Sequence, residues 1–225
     1  MAFRGKKYTA NAKLVDRTKF YSVQDAVDLA KKTATTKFDG SIDIAIKLNL
    51  DTTKAEQQLR GTIALPHYFG KKIRIVAITD TISDAQAKEL GIKVGTTDLI
   101  NEIKNGWLDF DLIITSPKFM IPLSKLGKVL GPKGLMPNPK LGTVTPNVLG
   151  AVKEFQKGKY NYRTDTYGNI HMKIGKVSAK TEDIVENINA LLDFIKSKRP
   201  ATVKGDYIQN ICISSTMGPS IKIAK

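Results

Sequence analysis

The chain has 225 residues, with 36 Lys and Arg against 21 Asp and Glu, giving a formal net charge of +15 and a pI near 9.7. This excess draws in nucleic acid or an anionic membrane surface, but no apolar run approaches the roughly 18–20 residues that cross a bilayer. The start MAFRGKKYTANAK lacks the apolar core of a signal peptide, so the chain is expected in the cytoplasm. Cys212 is the only cysteine, which excludes an internal disulfide, and His67 and His171 are too few to complete a structural zinc site with it. Set among apolar residues in NICIS, Cys212 reads as a buried structural thiol rather than a nucleophile. Cut near His67 and Gly158, the chain holds 12 basic against 7 acidic residues, then 13 against 8, then 11 against 6, so each part carries +5. The charge is global.

In chain order, a basic, mobile start comes first. Ser22 with Asp25 three residues on resembles a capping box, and Ala26, Val27, Leu29 and Ala30 give the following helix, to about Thr33, an apolar face. Ile42, Ile44, Ile46 and Leu48 then alternate with Asp43, Ala45 and Lys47, the pattern of a strand with one buried face, and Gly61–Leu65 supplies a second strand. From Ile73, IRIVAI suits a strand buried on both faces. A helix in SDAQAKEL, a short IKVG strand, a helix through Leu99 and Ile103 and the strand DLIIT follow, an alternation that specifies right-handed βαβ units and a small parallel sheet.

The stretch from Leu112 to Lys153 contains Lys118, Lys125, Lys128, Lys133, Lys140 and Lys153, no acid, and six of the nine prolines. It reads as a basic loop of fixed shape joining two helical elements, whose starts are marked by Ser116-Pro117 and Thr145-Pro146. Lysines held on such a backbone suit phosphate. Beyond Gly158, YGNIHMKIG returns to strand alternation. Thr181 opens a helix with Ile184, Val185, Ile188, Leu191, Leu192 and Ile195 at helical spacing, and a strand near Tyr207–Ser214 ends in STMGPS. The topology expected is a discontinuous α+β domain with a split β-α-β sheet, from residues 1–67 and 159–225, with an α/β domain inserted over 68–158. Its two linkers cross side by side as a hinge.

Enzyme signatures are absent from the sequence: there is no phosphate loop, dinucleotide fingerprint, nucleophile elbow or paired-histidine zinc motif. The carboxylate pairs Asp80 and Asp84, Asp109 and Asp111, and Glu182 and Asp183 read as capping or solvated groups, and His67 and His171 as structural or RNA-facing side chains rather than bases. Gly131-Pro132-Lys133-Gly134 matches the G-x-x-G of KH domains, which leaves open a single-stranded RNA reader; a phosphate-substrate enzyme on the inserted domain is the alternative from another class. Phe38, between Lys37 and Gly40, reads by itself as core, with stacking on a base as the functional alternative. The hydroxyls and glycine of STMGPS suit ribose 2′-hydroxyls and phosphates.

SPKFMIPLSKLGKVLGPKGLMPNPKLGTVT resembles the signature of the large ribosomal subunit protein one family, the stalk proteins, in the bacterial form. VDRTKFYSVQDAV, RGTIALPH, GNIHMKIGK and STMGPSIKI extend the likeness over nearly the whole chain. The resemblance implies a non-enzymatic protein without cofactor or metal, monomeric when free and ribosome-associated. It also implies an end-built domain as main binder of the 23S rRNA stalk and an inserted Rossmann-like three-layer domain whose basic segment makes a secondary contact through Lys125, Lys128, Lys133 and Lys140. Its implied partners are that rRNA, exit-site tRNA, the mRNA of its own operon and other ribosomal components. Carried onto this chain, the family's RNA contacts fall on Lys37, Phe38, Ser41, Thr216, Met217 and Gly218, with support around Arg163, Asp165 and Gly168. Ser41 stands where the family has Thr and keeps the hydroxyl. Thr166 stands where a basic residue is common, and Tyr68 replaces a Gly common after LPH.

Overall fold

The computed structural model describes residues 5–54, 56–71 and 73–224, and shows a mixed α/β protein. The first half runs α1 (Lys6–Ala12), α2 (Val23–Lys32), β1 (Ser41–Leu48), β2 (Arg60–Ala64), β3 (Ile75–Ile78), α3 (Asp84–Leu90), β4 (Lys93–Gly95), α4 (Thr97–Lys104) and β5 (Leu112–Thr115). The second runs α5 (Met120–Ser124), α6 (Gly127–Leu130), α7 (Val148–Gln156), β6 (Lys159–Arg163), β7 (Asn169–Lys176), α8 (Thr181–Ser197), β8 (Ile208–Ser215) and β9 (Ile221–Lys222). Two compact units result, one from the chain up to Phe69 and from Tyr162 onward, the other Gly70–Asn161.

In the first unit an antiparallel sheet in the order β7-β1-β8-β9 is covered on one face by α2 and α8. Ile42, Ile44, Ile46 and Leu48 alternate inward along β1 and meet Ile170, Met172 and Ile174 of β7, Ile211 and Ile213 of β8, and Ile184, Ile188, Leu191 and Ile195 of α8. The Ser22 hydroxyl caps α2 by accepting from Asp25 N–H at 3.1 Å, and donates to the Asp25 carboxylate at 2.7 Å, so half of a capping box forms. The register slips between Ile42 and Asp43, whose partners on β7 are Gly175 and Lys173, and Ile174 is the extra residue of a β-bulge. Fully buried Asn187 of α8 takes up the freed Ile174 carbonyl at 2.9 Å, and also brackets the backbone of His67, accepting from its N–H at 3.0 Å and donating to its carbonyl at 2.9 Å. A second, two-stranded sheet pairs β2 with β6.

The second unit is a parallel sheet, β4-β3-β5. All four residues of β3 are buried, as a strand covered on both faces requires. Val76, Ile78 and Ile113 face a cluster with Leu99, Ile100, Ile103, Leu123, Leu126 and Leu130, while Ile75, Ala77 and Ile114 face Ala87, Val148, Val152 and Phe155.

Several expectations are corrected. Lys6–Ala12 of the basic start is helical, and the first four residues of that segment lie outside the described residues. The stretch from Ser116 to Asn147 is not one loop. It contains α5, α6 and two 3-10 turns, because Leu123, Leu126 and Leu130 recur at helical spacing and anchor it to the core. Asn147, not Thr145, caps α7, accepting from Gly150 N–H at 3.0 Å. Asp109 and Asp111 are not merely solvated: both hold Arg74, whose Nε and Nη2 each lie 3.1 Å from Asp111 oxygens. Asp80 pairs with Lys118 at 3.3 Å, while the side chain of Asp84 lies outside the description.

Candidate nucleic-acid interface

Segments 175 residues apart in sequence meet where β1 begins and β8 ends. Thr216 N–H donates to the Ser41 carbonyl at 2.9 Å. The Thr216 hydroxyl accepts from Ser41 N–H at 2.9 Å and lies 3.1 Å from the same carbonyl, to which it donates. That hydroxyl is thus a clamp within the protein. The chain then turns tightly, Gly218 N–H donating to the Ser215 carbonyl at 2.8 Å. Met217 sits in this turn at φ +64°, a left-handed conformation costly for its side chain, and is 78% exposed. At Gly218 a Cβ would lie 2.2 Å from the Ser215 hydroxyl, so a larger residue there requires that hydroxyl to turn away.

Phe38 is 63% exposed, which overturns its reading as core. The reason is local: Thr36 donates to the Phe38 carbonyl at 2.9 Å, and Asp39 is tied to Ser178 N–H at 3.1 Å and Ser178 hydroxyl at 3.0 Å, so the backbone bends before the strand and turns the ring outward. Burial opposes the Asp39 charge, but the two Ser178 bonds and nearby Lys176 outweigh it and hold its carboxyl below the ordinary range. Lys37 is exposed beside Phe38.

Asp165 and Gly168 lie elsewhere. Gly168 accepts from Leu48 N–H at 3.0 Å at the far end of β1, about 23 Å from Ser41 at some 3.3 Å per strand residue. Burial pushes the Asp165 carboxyl up, yet bonds from the Asn169 side chain and N–H, the Tyr167 N–H and His171 bring it down to about 2. Arg163 is exposed on neighbouring β6.

Between these ends lies the sheet face opposite the one that α2 and α8 cover. The register places Lys173 opposite Asp43, His171 opposite Ala45 and Asn169 opposite Lys47 on one side of β1, and Ser214, Cys212 and Asn210 on the other. Lys222 faces the same way, opposite Cys212. His171 was read from the sequence as structural or RNA-facing, whereas Lys47, Lys173, Asn210 and Ser214 were not singled out as site candidates; alternation along β1, β7 and β8 is the signal that places them on this face. Cys212 is half-buried rather than fully buried, with Asn210 Nδ2 at 3.5 Å from its sulfur, and burial pushes its thiol up, as suits an unreactive group. Burial likewise pushes the Asp43 carboxyl up against the opposing effect of Lys173. His67 Nε2 lies 2.8 Å from Glu186 and His171 Nε2 3.4 Å from Asp165. Among the described residues no group of three metal-binding side chains occurs, and no helix is long and apolar enough to cross a membrane.

In the second unit Lys125, Lys128, Lys133 and Lys140 are all exposed. Gly131-Pro132-Lys133-Gly134 ends α6: Leu135 N–H donates to the Leu130 carbonyl at 3.0 Å, Gly134 N–H to the Gly131 carbonyl at 3.0 Å, and Gly134 has φ +70°. This is a Schellman cap with Gly134 at its left-handed position, so helix termination accounts for that glycine, while Gly131 is right-handed helical.

The sequence profile of the ribosomal protein L1p/L10e family matches residues 30–219. The large ribosomal subunit protein uL1 of Mycoplasmoides gallisepticum is 64% identical over 97% of this chain and 96% of its own length. Those of Mycoplasma pneumoniae and Mycoplasmopsis pulmonis are 62% and 53% identical, over 99% of this chain and 98% and 99% of theirs. With a family match across 30–219 and relatives this close along nearly its whole length, the chain belongs to the ribosomal protein L1p/L10e family.

Proposed function

We propose that this chain is a structural protein of the large ribosomal subunit and that its first unit binds the folded 23S rRNA of the stalk through the open sheet face. The observation that carries the reading is the Ser41–Thr216 clamp, which joins two distant segments and leaves Phe38 and Met217 exposed beside Lys37. Phe38 stacks on a base or packs on ribose. Backbone groups of the Met217–Gly218 turn approach 2′-hydroxyls and phosphates, and Lys47, Lys173, Lys222 and Arg163 neutralise phosphates across the face. Lys125, Lys128, Lys133 and Lys140 on the second unit, which we read as a Rossmann-like inserted domain, add a weaker, charge-based contact. On this reading the chain works in the cytoplasm, on the ribosome. The family resemblance extends the proposal to release of deacylated tRNA from the exit site and to repression of its own operon through an mRNA resembling the rRNA site. No reaction is proposed.

Titration against the stalk rRNA fragment, an unstructured RNA and a DNA duplex across a salt series tests this. Tight binding confined to the stalk fragment, persisting at elevated salt, is expected; equal and steeply salt-sensitive binding to all three would reduce the reading to charge alone. Thr216→Val removes the clamp and leaves Ser41 N–H unpartnered, so it is expected to cost about 1–3 kcal/mol in fold stability and to weaken binding of the stalk fragment. A variant that binds like the parent overturns the proposed site.

A further inference from the structure

Tyr167 is exposed by 75%, yet its backbone is among the most tightly pinned on this surface. Its N–H donates to Asp165 Oδ1 at 2.9 Å, and the same oxygen accepts Asn169 N–H at 2.7 Å. Lys47 Nζ donates to the Tyr167 carbonyl, and Thr52 donates to the adjacent Thr166 carbonyl at 2.6 Å. Gly168 N–H closes the turn on the Asp165 carbonyl at 3.2 Å, and Gly168 itself accepts from Leu48 of β1. A scattered exposed aromatic needs no explanation. A rigid turn that holds an exposed one at the end of a face containing Lys47 and His171, near Arg163, is a different arrangement, because only the ring's own torsions remain to be fixed on binding.

We propose that Tyr167 is a second aromatic platform on which an unpaired base of the bound RNA stacks, at the opposite end of β1 from Phe38, the strand between them rising about 23 Å. The inference rests on the reading that the open sheet face binds folded RNA, and it adds a geometric demand: the RNA must present accessible bases at both ends of the sheet. A base is favoured over an apolar protein partner because Lys47 bonds the Tyr167 carbonyl and the same face contains Lys173 and Lys222, while its other exposed large apolar residues lie away from Tyr167, Phe38 and Met217 at the opposite end and Phe20 beside Lys222 at the β9 edge. The Tyr167 side chain is not part of the fold's packing, so its removal leaves the protein folded.

Binding of the stalk rRNA fragment by the whole chain and by Tyr167→Ala, Tyr167→Phe and Tyr167→Trp, each across a salt series, tests the platform. Tyr167→Ala is expected to weaken binding at least about fivefold with an unchanged salt slope and melting temperature, since stacking releases no counterion. Tyr167→Phe is expected to bind like the parent, and the new indole of Tyr167→Trp to be quenched by the RNA beyond any change at Trp107 in the parent. Unaltered binding by Tyr167→Ala, or failure of Tyr167→Phe, overturns the platform while the parent's preference for folded RNA leaves the underlying reading intact. A parent that shows no such preference overturns both.

Discussion

Met217 is the residue at which fold and proposed function pull apart. Its φ of +64° belongs to the region that Gly occupies freely and other residues at a cost of order 1 kcal/mol or more, while its side chain is exposed and adds little to the core. Met217→Gly is therefore expected to leave the melting temperature unchanged or slightly raised and to weaken binding of the stalk rRNA; a lowered melting temperature would mean that Met217 serves the fold. Asp165 behaves oppositely, since its bonds hold the turn under Tyr167 together. Its carboxyl, at about 2, lies below the ordinary value of 3.8, so the stability it contributes is present above about pH 4 and is lost as pH falls through its folded value. Asp165→Asn is expected to flatten the pH dependence of unfolding between about 4 and 2, as read by circular dichroism, and an unaltered acid limb would rule out this linkage. At this scale the sequence was a mixed guide. Resemblance pointed to Phe38 and Met217, but residue type alone read Phe38 as core, because the bend that exposes it depends on Ser178, 140 positions along the chain.

Elements were most legible where burial imposes a period. Ile42, Ile44, Ile46 and Leu48 could line only one face of a strand, and Ile184, Ile188, Leu191 and Ile195 only one face of a helix; both lie in the core as spaced. Less legible were α5, with Pro122 inside it, α6, bounded by Gly127 and Gly131, and α1, a single short polar helix. No local pattern announces the bulge at Ile174, since it arises from pairing between strands more than 120 residues apart. Asn187 is the polar counterpart of that bulge, and one side chain satisfies three backbone groups there. Asn187→Leu, close in volume, strands a carbonyl of Ile174 and both backbone groups of His67 and is expected to cost about 3 kcal/mol or more in urea unfolding. A loss under 1 kcal/mol would mean that water replaces the amide.

For the whole molecule, +15 spread evenly over the chain supplies attraction to any polyanion and by itself distinguishes none. Discrimination has to come from fixed geometry, which on the proposed reading lies in the first unit: the clamp at one end of β1, the Asp165 turn at the other and the sheet face opposite α2 and α8 between them. The two contributions can be separated because they answer differently to salt. Each phosphate neutralised contributes about 0.7–0.9 to the slope of log affinity against log salt, whereas stacking and backbone contacts contribute nothing to it. Changing Lys125, Lys128, Lys133 and Lys140 together to Gln leaves the buried leucines of α5 and α6 in place. This variant is expected to lose affinity for folded RNA, unstructured RNA and duplex DNA alike, and to shallow the slope by about one unit for each lysine that meets a phosphate, with the preference for the stalk fragment retained. Thr216→Val is expected to do the reverse, keeping the slope and losing the preference. If the fourfold lysine change abolished the preference as well, recognition would reside in the second unit's basic segment, and the sheet face would be no more than a charged surface.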